Sequence, residues 1–428
     1  MTPNYTFDRL SVWLQTTGGV VAVLLLVQFL TGVLLAFYYV PSVDHAHTTV
    51  SYIEKVVSSG SWLRSLHHYG SQWLALFAFL HVVRLFWDRA YVDRRVLWIA
   101  AVLLLMLVMA GAGTGYSLPW DARAFFSTRV AEGLVSGLPF AGRLGRLWVL
   151  GGSDISTITL SRFFALHVLV TPFAIVGVLW WKCRRGACWS NVNRSAIVGG
   201  VVFVALAVWC LKFPAPLGPP VETMTADYLP RPGAQFLWLY QSLKYVPGGL
   251  GSIVGVVLPG LALLVLVSLP WLGRARLIGG VLLACFALSV TIMTVAAYVS
   301  DRAPGTREQL AKQAAQEAAW RNEPFTARAL HSAPQPSQTS ASGGPPVMYA
   351  KFCANCHGAR GEGAQQGPLR FPPLLDVAAK PRRTVDDIVG LLKDPAAYGL
   401  QPPMRSFSDK LTEPEMKEIA AFVVQLKS

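Results

Sequence analysis

Long apolar stretches alternate with short polar connections over roughly the first 300 residues of the chain. A run of about 20 apolar residues is long enough to cross the hydrocarbon core of a bilayer as a helix. The pattern therefore predicts an all-α bundle of about seven membrane-spanning helices. The predicted spans are Gly18–Tyr39, Gly70–Trp87, Val96–Tyr116, Leu160–Trp181, Ala196–Leu211, Ile253–Leu272 and Leu277–Val299.

The pattern changes completely after Val299, and we divide the chain into four parts. Residues 1–192 hold the first four spans, and residues 193–300 hold the last three. Residues 301–345 combine a polar helical stretch, REQLAKQAAQEAAW, with a linker rich in Pro, Ser and Gly. Residues 346–428 are predicted to form a small α-helical domain.

Composition and charge agree with a polytopic membrane protein. Of the 428 residues, 53% are hydrophobic and 14% are charged, with a mean hydropathy of +0.43. The net charge of +14 does not indicate nucleic-acid binding, because the basic residues gather in alternate loops. These are Lys182, Arg184, Arg185 and Arg194 after the fourth span, and Arg274 and Arg276 after the sixth.

Basic loops of a membrane protein lie preferentially in the cytoplasm. Seven spans then place the N-terminus inside and everything after Val299 outside. The first span is too long for a signal-peptide core, so we expect it to be retained.

Two histidines lie on one face of the second span, within RSLHHYGSQWLALFAFLHVVR at residues 64–84. His67 and His81 are fourteen residues apart, almost four helical turns, so both imidazoles point the same way about 21 Å apart. This spacing predicts two haems stacked along one helix. Each haem needs a second axial ligand from another helix.

The fourth span offers one histidine partner. His167 stands near its start, with Trp181 fourteen residues on and Lys182 fifteen residues on. A second partner histidine is missing from this span.

Small residues recur in phase with the histidines. Gly18 and Gly32 are fourteen residues apart in the first span, as Ala101 and Gly115 are in the third. Such residues let a haem edge or another helix approach the backbone closely. Together with the histidine spacing, they favour haem packing over helix packing alone.

Arginines flank both histidines of the second span. Arg64 lies three residues before His67, and Arg84 lies three residues after His81. These positions are one helical turn beyond each ligand, where haem propionates would emerge. The other role open to them is snorkelling toward the membrane interface, which is compatible with propionate pairing.

The last part of the chain contains CANCH at residues 353–357. In this motif Cys353 and Cys356 form thioethers to haem vinyl groups, and His357 binds the iron. With GARGEG after it and a closing helical segment, this part resembles class I cytochrome c along its full length. The sixth ligand is predicted to be Met404 in QPPMRSF, with Met416 as the alternative.

Residues 1 to about 300 resemble cytochrome b of the quinol-oxidising cytochrome bc complexes. The motifs that carry the resemblance are VQFLTG, FYYVP, the RxxHxxG and HxxR frames of the second span, GYSLPWD and TLSRFFALH. The proline five residues after His167 favours the chloroplast and bacterial form, in which the two histidines of the fourth helix are fifteen apart. That register puts Lys182 on the ligand position. From about residue 195 the chain resembles the family's three-helix second half.

The resemblance implies two non-covalent b haems in addition to the covalent c haem. His67 with His167 would hold the outer haem, and His81 would hold the inner one. Three alternatives stay open for the inner haem. A neutral Lys182 amine coordinates the iron, the iron is five-coordinate or differently ligated, or the haem is absent and Lys182 is a cationic anchor at a helix end.

An extra covalent haem found in some relatives is expected to be missing. Those relatives attach it through a cysteine in the first helix, where this chain has Leu24. Cys183 and Cys188 lie beside the inner haem position but lack CxxCH spacing, so they are expected to be ordinary thiols.

The quinone site implied by the resemblance lies near Tyr116, Pro119, Trp120, Pro232 and Gly233. In relatives the PRP motif is followed by a glutamate that takes a proton from quinol. Here that position is Gly233, which cannot accept a proton. Another group or water must do so, or the site does not oxidise quinol in the family's manner.

The leading interpretation is a fused cytochrome b and c subunit of a quinol–cytochrome c reductase in the bacterial inner membrane, with the c domain on the periplasmic face. The implied partners are a separate Rieske-type iron–sulfur protein, a cytochrome acceptor and a second copy in a homodimer, with no nucleic acid. The alternative is a modified paralogue that acts as an electron conduit or structural subunit of another respiratory or photosynthetic complex without a full quinone cycle.

Overall fold

The computed structural model divides the chain into two compact units, Met1–Arg328 and Ala329–Ser428. It describes residues 16–152, 155–186, 192–221, 228–326, 346–358, 360–366, 369–371, 373–375, 384–398, 406–408 and 410–426. Nearly all regular structure in these residues is helical, so the predicted all-α class is confirmed.

The first unit contains helices α1 to α14 of the described residues. They are α1 Thr17–Ala36, α2 Ala46–Lys55, α3 Gly60–Trp87, α4 Ala90–Asp93, α5 Arg95–Tyr116, α6 Ala122–Ser136, α7 Gly142–Leu150, α8 Thr157–Ala165, α9 Thr171–Arg184, α10 Val192–Lys212, α11 Ala234–Lys244, α12 Leu258–Ser268, α13 Ala275–Ser300 and α14 Pro304–Asn322. Helix α14 contains the polar stretch REQLAKQAAQEAAW.

Six helical segments among the described residues are long and apolar enough to cross a membrane, and they correspond to six of the predicted spans. They are Thr17–Ala36, Arg95–Tyr116, Thr157–Arg184, Arg194–Lys212, Ile253–Trp271 and Ala275–Ser300.

The remaining predicted span, Gly70–Trp87, lies inside α3. Helix α3 has 28 residues and would reach about 42 Å, which is long enough to span a bilayer. It is not among the six apolar segments because it carries histidines, a glutamine and two arginines. It packs between α1 and α5, so the helix is flanked by protein on two sides.

The fourth span contains a widened helical turn at His167. Residues Leu166–Val170 form a π-helical turn between α8 and α9, and Pro172 follows it. Proline lacks an N–H and its ring clashes with the carbonyl four residues earlier, so a widened turn relieves the clash. The proline therefore sets the direction in which His167 projects. Ile253–Val257 forms a similar turn before Pro259.

Two apolar clusters hold the spans together. One joins α1, α3, α5 and α10 around residues such as Leu24 and Leu206. The other joins α3, α5, α12 and α13 around Trp98, which is fully buried. The Trp98 indole N–H donates to the Leu266 carbonyl at 2.7 Å, so the second cluster contains a specific polar tie between α5 and α12.

Hydrogen bonds and an ion pair attach α14 and the segment before it to other parts of the first unit. Arg321 donates to the Ala215 carbonyl at 2.7 Å, and Lys55 donates to the Trp320 carbonyl at 2.6 Å. An ion pair between Arg231 and Asp301 lies just before its start. These contacts make α14 part of the wall of the first unit.

The second unit contains helices α15 Val347–Phe352, α16 Ala354–His357, α17 Val385–Lys393 and α18 Glu413–Gln425, with short antiparallel strands β1 Ala364–Gln366 and β2 Leu369–Phe371. Capping boxes at Thr384 and Thr412 begin α17 and α18. Tyr349 and Ile419 lie in its core, each at most 1% exposed.

We expect Trp98→Phe to lower the free energy of unfolding of the first unit by about 1–3 kcal/mol, because the change removes a buried hydrogen bond and leaves a small cavity. Thermal unfolding of the detergent-solubilised protein, followed by circular dichroism, measures this. The matched control is Trp271→Phe, since Trp271 is 65% exposed. Equal effects of the two changes would contradict the role given to Trp98.

Candidate functional site

His67 on α3 and His167 in the π-helical turn face each other across the bundle. Their ring centroids are 5.9 Å apart and the rings are nearly perpendicular, at 78°. Two imidazoles on one metal ion have ring centres about 6 Å apart, because each metal–nitrogen bond is about 2 Å long. The observed separation fits two axial ligands of a single haem iron.

Hydrogen bonds fix the tautomers of both rings. The Thr31 hydroxyl donates to the Val27 carbonyl at 2.6 Å, so it accepts from the His67 Nδ1–H at 2.9 Å. The His167 Nδ1–H donates to the Gly111 carbonyl at 2.9 Å. In both rings Nε2 therefore carries the lone pair, as a metal-binding histidine requires.

His81 lies on α3 fourteen residues after His67, and its side chain is buried. Its Nδ1 is hydrogen-bonded to the Thr17 hydroxyl at 3.0 Å. The contact repeats, on the same two helices, the one between His67 and Thr31. Lys182 and His81 both line the same cavity. The structure gives no second histidine at this end among the described residues.

The glycines predicted to pack against haem lie directly against the histidine rings. A Cβ on Gly18 would lie 3.0 Å from the His81 Cε1, and one on Gly32 would lie 3.1 Å from the His67 Cε1. On Gly115 it would lie only 2.5 Å from the His167 Cε1. Any larger residue at Gly115 would therefore displace the His167 ring.

A cavity of about 800 Å³ runs through the described residues of the first unit. Its described wall includes the three histidines predicted to bind haem, the three glycines beside them and mostly apolar side chains. At the end near His67 the wall becomes polar and reaches the loops and α14. The cavity therefore connects the predicted haem positions with the predicted quinone region.

The two flanking arginines have different surroundings. Arg64 forms an ion pair with Glu54, with Nε 2.5 Å from Oε2, and also donates to the Ala215 carbonyl. Arg84 pairs with Asp88 at 2.9 Å, and its Nε is buried with no hydrogen-bond partner in the described residues. That orphaned donor fits an acid group such as a haem propionate near His81, whereas Arg64 is already engaged by protein groups.

Most of the predicted quinone residues line the polar end of the cavity: Tyr116, Pro119, Pro232 and Gly233. The Gly233 N–H donates to the Tyr116 hydroxyl at 3.0 Å. Trp120 is buried at 5% exposure in a separate cluster with Ala46 and Leu160, outside the described cavity wall.

Sequence reasoning missed a charged group at this end. Arg123 on α6 forms an ion pair with Glu317 on α14, in which one guanidinium nitrogen, Nη2, donates to both carboxylate oxygens, and both residues line the cavity. Burial raises the pKa of the Glu317 carboxyl above its ordinary value, while the Arg123 guanidinium opposes that shift. Burial also raises the pKa of the Tyr228 phenol, which lines the same wall. No spacing or motif connects α6 with α14, so only the fold could bring them together.

In the second unit the CxxCH segment forms helix α16, so residues 353 and 357 are one helical turn apart. Cys353 is buried. The Tyr349 hydroxyl donates to the Gly358 carbonyl at 3.0 Å, and burial raises the pKa of Tyr349 to about 12. Gly358 has a φ of +81°, which explains why a glycine follows the motif directly.

Two predicted residues of the c haem lie outside what the structure describes, namely the side chain of Cys356 and all of Met404. Met416, the alternative iron ligand, is 3% exposed and packs in the apolar core on α18. This position suits a packing residue.

Two family models match the chain. Residues 2–182 match Cytochrome b/b6/petB, and residues 343–427 match Cytochrome c. The solved structure "Hyperthermophilic respiratory Complex III" has the same fold over 72% of this chain and 89% of that chain, with a TM-score of 0.53 and 21% identity.

Relatives agree with the models. The menaquinol:cytochrome c reductase cytochrome b subunit of Geobacillus thermodenitrificans is 35% identical over 171 residues, which cover 40% of this chain and 76% of that protein. Cytochrome b of Rickettsia prowazekii is 31% identical over 294 residues, which cover 63% of this chain and 73% of that protein. With its membrane-spanning helices and C-terminal cytochrome c segment, the chain belongs to the cytochrome b family.

Proposed function

We propose that this chain is the electron-transfer subunit of a quinol–cytochrome c reductase, carrying electrons from quinol through b haems and to a fused c haem, with coupled proton translocation. Membership of the cytochrome b family supports the electron transfer. The observation that carries the proposal is the facing pair His67 and His167, 5.9 Å apart with both Nδ1 atoms occupied.

Each haem, when bound, supplies reversible one-electron transfer at its iron. His67 and His167 would hold the outer b haem, and His81 with Lys182 the inner one. Cys353, Cys356, His357 and Met404 would hold the c haem. The closeness of Gly18 and Gly32 to the histidine rings supports this arrangement, since any side chain there would tilt a ligand ring.

The partners and location belong to the same proposal. The Geobacillus relative is named for menaquinol and cytochrome c, and the solved structure for respiratory Complex III. By analogy, we assign to this chain a separate Rieske-type protein, a cytochrome acceptor and a homodimeric complex in the bacterial inner membrane. The N-terminus would face the cytoplasm, because the loop with Arg184 and Arg185 is basic.

A second candidate is an electron conduit without a full quinone cycle. The observation that favours it is Gly233, which stands where relatives have a proton-accepting glutamate and offers only a backbone N–H to Tyr116. The two candidates differ in one property. Only the first requires the isolated complex to oxidise quinol.

We expect His167→Ala to abolish the outer b haem, because the iron loses one of its two protein ligands. Reduced-minus-oxidised spectra of the purified complex would lose about half of the b-haem absorbance. The control is His68→Ala, since His68 adjoins His67 but its ring is hydrogen-bonded to Gln72. An unchanged spectrum in His167→Ala would refute the ligand pair.

We expect Lys182→Ala to change the inner haem, because an amine ligand would be lost. Low-temperature electron paramagnetic resonance with a redox titration should show two b signals in the wild type, with only the inner one altered in the variant. Arg185→Ala controls for loss of a cation at the same helix end. A single b signal in the wild type would favour the conduit, and an unaltered inner signal in Lys182→Ala would exclude lysine ligation.

We expect Met404→Leu to remove the methionine-to-iron charge-transfer band of the oxidised c haem and to lower its potential, because methionine ligation raises haem potentials. Met416→Leu should keep the band, since Met416 packs in the apolar core. The opposite result would make Met416 the ligand.

A further inference from the structure

Oxidation of a quinol requires a group that accepts its protons, and the usual glutamate position is Gly233 in this chain. The two following residues are Ala234 and Gln235, which cannot take up a proton near neutral pH. The following inference rests on the proposed quinol oxidation and names the acceptor.

Two carboxylates occur in the described wall of the cavity, Asp121 and Glu317. Both oxygens of Asp121 are occupied by backbone groups. Oδ1 accepts from the Ala124 N–H at 3.0 Å, and Oδ2 accepts from the Gly218 N–H at 3.1 Å. Asp121 is 4% exposed and begins α6, so protonation would break a helix cap. It is therefore a structural carboxylate.

Glu317 has the properties that a proton carrier needs. It lines the same cavity as Tyr116 and Gly233, and its side chain is also 16% exposed. Its partner Arg123 is 26% exposed, so neither side chain of the ion pair is fully buried.

The helix that carries Glu317 is held in place without it. Arg321, Lys55 and the Arg231–Asp301 pair all fasten α14 or its start to the first unit. Movement of one side chain would therefore leave α14 where it is. A carboxylate on a fixed helix, placed between a cation and a cavity, suits repeated proton transfer.

We infer that Glu317 accepts a proton from quinol at the outer site, in place of the glutamate that Gly233 lacks. One quinol O–H bond breaks as the Glu317 carboxyl O–H forms. The other quinol proton would leave with the electron taken by the separate iron–sulfur protein, and the second electron would be accepted by the haem that His67 and His167 would hold. Glu317 then releases its proton to outside water and pairs again with Arg123.

The charges around Glu317 set the pH at which it works. Burial raises its pKa, and Asp121 acts in the same direction, while Arg123 and Arg321 oppose it. Only the ionised form can accept a proton, so turnover should fall as the pH drops through the raised pKa. The titratable and charged groups around it are Arg123 and Asp121 from α6, Tyr228 from the segment before α11, Tyr116 from α5 and Arg321 on α14 itself.

The test compares quinol oxidation by the intact purified complex in the wild type, Glu317→Gln and Glu308→Gln. Dimethylnaphthoquinol and decylubiquinol are the donors, and the reduction of c haem is the readout. Glu317→Gln should slow turnover on the order of 100-fold and remove the acidic limb of the pH profile. Glu308→Gln should have no effect, because Glu308 is exposed on the same helix and pairs with Lys312.

Placing a glutamate at position 233, where relatives have one, tests whether Glu317 acts in proton transfer or only as a structural ion pair. Adding Gly233→Glu to Glu317→Gln should recover at least about 10-fold of the lost rate. A side chain at this position needs no unusual backbone angle, because Gly233 has a φ of −61°. The nearest atoms to its Cβ would be the flexible end of Gln235 at 3.0 Å and the Tyr116 ring at 3.4 Å. A purely structural ion pair would not be rescued in this way.

The outcomes are distinct. An active wild type with unchanged turnover in Glu317→Gln overturns the role of Glu317 and leaves the proposed function standing. Loss of turnover without rescue by Gly233→Glu also overturns it. A wild type that oxidises neither quinol, although its haems accept electrons from a chemical reductant, overturns both.

Discussion

The first unit depends on holding two imidazoles from different helices opposite each other, with Nδ1 of each ring hydrogen-bonded to protein. Each ring is fixed from behind through Nδ1, by a threonine hydroxyl for His67 and by a backbone carbonyl for His167. The rest of the bundle serves this geometry. Pro172 widens the turn that carries His167, and Gly115 leaves room for its ring. Because polar groups in a membrane interior are costly unless they are paired, these hydrogen bonds also allow the histidines to be buried.

Sequence periodicity could predict this part of the molecule because it lies within single helices. The fourteen-residue spacing of His67 and His81 and the matching glycines follow from 3.6 residues per turn. The helical class and six of the spans follow from hydropathy, whereas the polar helix α3 shows that a buried span need not be the most apolar. The contacts of Arg64 with Glu54 and Ala215 join segments far apart in the chain, and no local pattern encodes them.

The two histidine positions of α3 have the same contacts with α1 but differ in the residue that faces them from the fourth span. At both ends a histidine Nδ1 meets a threonine of α1 and a glycine of the same helix lies against the ring. Among the residues that the structure describes, a second histidine lies opposite at the His67 end alone. At the His81 end the facing helix offers Lys182, whose amine can bind a metal only when neutral.

The pairing of Arg123 with Glu317 is difficult to explain as a stabilising device. Partly exposed ion pairs contribute little to stability, and desolvation offsets much of their attraction. Other contacts already hold α14 on either side of this pair. They are the hydrogen bond from Arg321 to the Ala215 carbonyl and the Arg231–Asp301 ion pair just before the helix. An ionised carboxylate between a cation and a cavity is attracted to the guanidinium, and protonation removes that attraction. The strength of the Arg123–Glu317 pairing therefore depends on whether Glu317 carries a proton, which suits the role of the glutamate that Gly233 lacks.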